Sequence, residues 1–200
     1  MSDGFYYWYR QVWDTSRSLQ LLDALDRLGL RTANPATGLV TTLTSGPDSW
    51  GEQEPITAQE LGPASGLVHG GALSLQLWLD AGTDVYTRFR ALPSGGAAIE
   101  FGLDGLGEWQ DRVVDSLSRA VHDSWQETAG YVIDRYGRTE DTDWDGVILG
   151  GGERIDEWPD EFAVRESVAA HHAQLAAAEG MSNPPLVVFG RRDSADRTSG

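Results

Sequence analysis

The stretch Ala72–Leu92, "ALSLQLWLDAGTDVYTRFRAL", decides the fold. Leu73, Leu75, Leu77 and Leu79 alternate with Ser74, Gln76, Trp78 and Asp80, the period-two pattern of a strand with one apolar and one polar face. A turn in which Asp80 pairs with Asp84 returns the chain with Val85 and Phe89 inward and Tyr86, Arg88 and Arg90 outward. A second turn at "PSGG" leads into "AAIEFGLDGL", with Ile99, Phe101 and Leu103 inward and Glu100 outward. These segments predict a three-strand antiparallel meander over residues 72–104 or so.

On the N-terminal side, "FYYWYRQVW" is too rich in aromatic, β-prone residues for a linker and predicts a strand. "DTSRSLQLLDALDRLGL" predicts a helix capped by Asp14 or Ser16, with Leu19, Leu22, Leu25 and Leu28 along one face and Gly29 just past its end. "GLVTTLTS" reads as a strand, and the proline-punctuated "GPDSWGEQEPITAQELGPASG" as a long loop. On the C-terminal side, Val113, Val114, Leu117, Val121 and Trp125 recur at helical spacing, predicting a long helix that covers the sheet. "GYVIDRYG" and "WDGVIL" then read as strands, and "WPDEFAVRESVAAHHAQLAAAEG" as a final helix capped by Asp160 and ended by Gly180. "PPLVVFG" reads as an edge strand with its prolines at the start. The expected fold is α+β: a largely antiparallel sheet containing the meander, covered by two or three helices. Residues 1–190 are expected to form one domain, and 191–200 a disordered tail with too little apolar content to order itself.

Composition excludes several chemistries. There is no cysteine, hence no disulfide, thiolate nucleophile or cysteine-ligated zinc. All 15 basic residues are arginine, the imprint of a high-GC bacterial genome, so Schiff-base catalysis and a phosphate-loop lysine are absent. No leader pattern or membrane-length apolar run is visible, which points to the cytoplasm. A net charge of −16 opposes nucleic-acid binding and favours encounter with a basic protein partner.

The stretch Asp141–Glu153, "DTDWDGVILGGGE", resembles the first half of an EF-hand-like calcium loop: Asp141, Asp143 and Asp145 stand at the first, third and fifth positions and Gly146 at the sixth. The twelfth position, which needs a bidentate glutamate, is Gly152, so the preferred reading is a solvated acidic turn between strands, with no cofactor. The four histidines show no zinc spacing. The outward face of the meander is the more informative constellation. In the expected register Trp78 lies opposite Tyr86 and Gln76 opposite Arg88, with Glu100 beside Arg88 or Arg90, a surface rich in hot-spot residue types. The alternative is that a helix covers this face and makes Arg88 to Glu100 a structural ion pair. Trp50, among Asp48, Glu52 and Glu54, is suited to meeting a cationic group at the rim.

Three functional classes fit. The first is an acidic protein-binding module of the immunity or antitoxin type that neutralises a basic effector, with acidic segments 48–60, 140–145 and 153–161 supplying complementarity. The second is a small-molecule enzyme or ligand-binding protein using Glu100, Asp104 and His69 with Arg88 or Arg90 as anion clamp. The third is a scaffold working as a homo-oligomer through its sheet face.

Overall fold

The computed structural model describes residues 4–43, 52–57, 59–61 and 72–190. The strands are β1 (Phe5–Arg10), β2 (Val40–Leu43), β3 (Gln53–Ile56), β4 (Ala72–Trp78), β5 (Asp84–Ala91), β6 (Ala97–Gly102), β7 (Thr128–Asp134), β8 (Glu161–Arg165), β9 (Met181–Asn183) and β10 (Leu186–Gly190). They form one sheet in the order β3-β2-β4-β5-β6-β1-β7-β8-β10-β9, and every pairing is antiparallel. The fold is therefore α+β, with the expected meander, β4-β5-β6, as one part of a ten-stranded sheet.

β1 lies between β6 and β7, and its aromatic density follows from that central place. Tyr6 and Trp8 face one apolar layer and Phe5 and Tyr9 the other, all at 5% exposure or less, so neither parity can be polar. The first layer is closed by α1 (Thr15–Arg27) and α2 (Gln110–Asp123), whose Leu21, Leu22, Leu25, Val113, Leu117 and Val121 pack with Leu75, Phe89, Ile99 and Phe101 of the sheet. Asp14 caps α1, its carboxylate accepting from the Arg17 amide at 2.8 Å, and Gly29 follows the helix at φ +92, where a Cβ would be strained. Leu19, expected inward, is exposed, and Leu21 takes its place. Trp125 falls just beyond α2, in a 3-10 turn.

The second layer covers β1, β7, β8 and β10, and here the sequence reading needs correction. "WDGVIL" is α3 (Trp144–Ile148), a short helix rather than a strand, and it buries Trp144, Val147 and Ile148 against Val132, Phe162 and Phe189. "EFAVR", expected to open a helix, is strand β8. Phe162 and Val164 alternate with Ala163, and the strand fills the gap between β7 and β10. The expected cap, Asp160, instead accepts the Arg135 amide at 2.7 Å. The helix that remains is broken into α4 (Glu166–His171) and α5 (Ala173–Ala176) by His172, whose backbone is extended. β10 is paired on both sides, so β9 is the edge strand. β3 lies within the expected loop, and its Pro55 is tolerated because β3 is the opposite edge.

The buried His172 ring couples this break to the preceding loop. Nε2 donates to the Glu153 carbonyl at 2.7 Å, and Nδ1 accepts from the Leu175 amide at 3.4 Å. Loss of both contacts in His172→Ala is expected to cost about 1–2 kcal/mol. His172→Asn, which keeps a capping oxygen, should recover part of that in a urea melt.

No helix among the described residues is long and apolar enough to cross a membrane. The tail 191–200, Trp50 and His69 lie outside the described residues.

Candidate protein-binding surface

The β4–β5 hairpin positions the residues singled out from sequence, in a register shifted by two from the expected one. Leu79 N bonds Thr83 O at 2.9 Å, and the Asp80 carboxylate accepts the Gly82 and Thr83 amides at 2.8 Å each. This turn pairs Trp78 with Asp84, Gln76 with Tyr86 and Ser74 with Arg88. A slip of two residues preserves parity, so every side chain stays on its expected face even though the partners change. Glu100 is directly opposite Arg88, as one of the expected alternatives had it.

The face is neither wholly covered nor wholly open. Ser74 and Gln76 are buried and Trp78 is half-buried, while Tyr86 stands out at 44% exposure with its hydroxyl 3.1 Å from Ser74 Oγ. Beside it the cations are fixed from below. Glu100, mostly buried, is 3.6 Å from Arg88 Nη1 and accepts from Arg90 Nε at 2.9 Å. Arg90 then presents its two Nη atoms to Asp145 of α3, at 2.7 and 2.9 Å, a two-bond fork that ties the helix to the sheet. Tyr9 donates to the same carboxylate at 3.0 Å. Asp145, read from sequence as part of an ion loop, is thus the partner of Arg90, and Tyr9 is a member that the sequence reading missed. The signal was present only as the odd-position aromatics of "FYYWY", which place Tyr7 and Tyr9 on this face.

The network sets the ionisation of its members. Burial pushes the Asp145 carboxyl up, but the hydrogen bonds and charge of Arg90 and the hydroxyl of Tyr9 outweigh it and hold the group below its ordinary value. Burial, then Asp145, drives the Tyr9 phenol well above its usual range. A carboxyl depressed in the folded state contributes stability that is complete above its unfolded pKa and is lost as pH falls through the folded value. Wild-type stability is therefore expected to decline as pH drops below about 4, and Asp145→Asn to lack that part of the acid limb in pH-dependent urea melts.

Asp141 and Asp143 do not join Asp145 around a common point. Asp143 is the cap of α3, accepting the Gly146 amide at 3.0 Å, Asp141 is exposed, and among the described residues no group of three or more His, Asp or Glu forms a metal-ligand set. The acidic turn is a helix start, not a turn between strands. Glu153 closes over it: a Cβ on Gly146 would collide with Glu153 Cγ and lie 2.9 Å from an Asp143 oxygen. The fold thereby brings acidic segments 140–145 and 153–161 together, and α3 joins them to the Arg90 network. Asp104, the other carboxylate weighed for catalysis, is exposed in a separate turn.

The fold and this surface define an α+β domain with helices on both faces of a ten-stranded antiparallel sheet and an acidic rim beside an ordered Tyr and Arg patch. No protein-family model matches the chain, and no curated protein does. Among solved structures, Pseudomonas aeruginosa T6SS protein PA0821 aligns with 94% of this chain at a TM-score of 0.46 and 13% identity, and the chain spans 64% of that protein's length. A likeness of that degree carries no inference about activity or partner.

Proposed function

We propose that this chain is an acidic protein-binding module of the immunity or antitoxin type, a single cytoplasmic domain over residues 1–190 that neutralises a basic effector by covering it. The observation that supports the reading best is that Asp143 and Glu153, from two acidic segments, both lie against Gly146 in the first turn of a helix pinned to the sheet by Asp145 and Arg90. Negative charge held on a rigid frame attracts a basic surface at long range and fixes its orientation on contact, without ordering cost at the moment of binding. The net charge of −16 acts in the same direction. Tyr86, exposed beside half-exposed Arg88, supplies an amphipathic anchor at the centre of the contact.

Of the two arginines weighed as an anion clamp for the small-molecule alternative, Arg90 is engaged by Glu100 and Asp145 of the chain itself, and Arg88 stands half-exposed beside Glu100. Tagged protein incubated with native lysate is expected to retain a basic chain at low salt and release it as the Debye length shrinks below about 8 Å. Retention of no basic chain at low salt contradicts the reading.

A further inference from the structure

Two aromatic side chains are exposed among the described residues, Tyr86 at 44% and Tyr136 at 58%, and the strand register puts both at one end of the sheet. A Cβ on Gly102 would lie 3.6 Å from that of Tyr86, Gly102 pairs with Phe5, and Phe5 pairs with Asp134. Tyr86 and Asp134 therefore end one row across β5, β6, β1 and β7, three strand spacings or about 15 Å apart. Tyr136 follows Asp134 by two residues, at the start of the loop that leads to the Asp143 cap of α3.

An exposed tyrosine by itself is ordinary. The frame beneath this one sets it apart. The buried Asp134 carboxylate accepts from the Tyr136 amide at 3.2 Å and from the Thr139 amide and hydroxyl at 2.7 Å each. Thr139, itself buried, accepts from the indole nitrogen of Trp144 at 3.2 Å through both its carbonyl and its hydroxyl oxygen. Gly137 turns the chain between them at φ +61. The loop is thus tied to β7 at its start and to α3 at its end, so little ordering cost is left for the moment of binding. Arg138 makes no ion pair among the described residues, although Glu140 and Asp141 follow it within three positions; its guanidinium lies 5.0 Å from the centre of the Tyr136 ring. Arg135 is paired with Asp111, so on this loop the exposed Glu140, Asp141 and Asp143 outweigh Arg138.

We propose that Tyr136 is a second anchor of the protein contact, entering an apolar pocket of the basic partner whose mouth carries cationic side chains that meet Glu140, Asp141 and Asp143. This role rests on the protein-binding reading above and supplies what charge alone does not. Carboxylates on the rim speed encounter, whereas burial of a rigid aromatic ring slows departure. Tyrosine suits the place because burying it freezes only two torsions, and Arg138 already restrains the ring. With Tyr86 at the far end of the row, the contact spans at least the width of β5, β6, β1 and β7.

Binding kinetics of the basic chain retained from native lysate, measured with the wild type, Tyr136→Ala and Tyr136→Phe, test the assignment. Tyr136→Ala is expected to dissociate about 30-fold faster, while its association rate, salt slope and thermal midpoint match the wild type. Tyr136→Phe, which keeps the ring, should stay within about threefold of the wild type. Unchanged dissociation of Tyr136→Ala from a chain that the wild type retains overturns the anchor and leaves the acidic rim as the contact. Failure of the wild type to retain any basic chain overturns both. A concentration-dependent dimer of the wild type that Tyr136→Ala abolishes would make a second copy the occupant, and it likewise overturns the assignment to a basic partner.

Discussion

Trp8→Ala is expected to lower the unfolding free energy by about 3–5 kcal/mol, the largest effect of any single truncation proposed for this chain. Trp8 is fully buried at the centre of the sheet, and its ring nitrogen donates to Thr128 Oγ1 at 3.0 Å, across to β7. Alanine would leave a cavity beneath α1 and α2, remove that bond, and withdraw the ring on which Arg10 rests. A domain has only about 5–15 kcal/mol in hand, so a large part of the stability should disappear. In urea the midpoint should fall while the slope stays constant. A loss below about 1 kcal/mol would show that the core does not centre on β1.

Arg90→Ala is the second. It removes one cation from two carboxylates, Glu100 and Asp145, whose side chains are 18% and 34% exposed. Breaking a well-buried pair from one side costs about 3–5 kcal/mol because the remaining charge is stranded; here the partners are partly solvated, and about 2–4 kcal/mol is expected. The loss should be local first, since Asp145 is what holds α3 by charge and Asp143 is its cap. Amide exchange at residues 144–148 is therefore expected to accelerate more than exchange in β4 or β5. Arg90→Ala combined with Asp145→Asn should lose less than the sum of the two, because the neutral side chain leaves one stranded carboxylate fewer. Additive losses would mean that the fork contributes little.

Much of this fold was legible in the sequence, and each failure has a physical cause. The meander, α1, α2 and β7 are long enough for their periods to show, and the sheet face of Tyr86, Arg88, Arg90 and Glu100 followed from alternation alone. The hairpin register did not, because the Asp80 side chain organises a turn two residues offset from the one assumed. α3 was hidden by its length: five residues containing Val147 and Ile148 look like a strand, although the Asp143 cap stood in view. β8 was hidden by its neighbours, since Phe162 and Val164 run straight into Val168 and Leu175 at spacings that also suit a helix. Arg90 beside Glu100 was legible from alternation, but the link from Arg90 to Asp145 was not. The two are 55 residues apart, and only the docking of α3 brings them together.

The most direct test of the protein-binding account is the affinity of the captured basic chain for the wild type and for the double variant Asp143→Asn, Glu153→Gln. Asparagine caps a helix about as well as aspartate, so the variant removes two charges while α3 keeps its start and the thermal midpoint stays close to wild type. The expected result is a loss of about tenfold or more in affinity at low salt, carried mainly by slower association, and a shallower dependence on ionic strength. Unchanged affinity and an unchanged salt slope, with the fold intact, would contradict the assignment of the acidic rim as the contact surface.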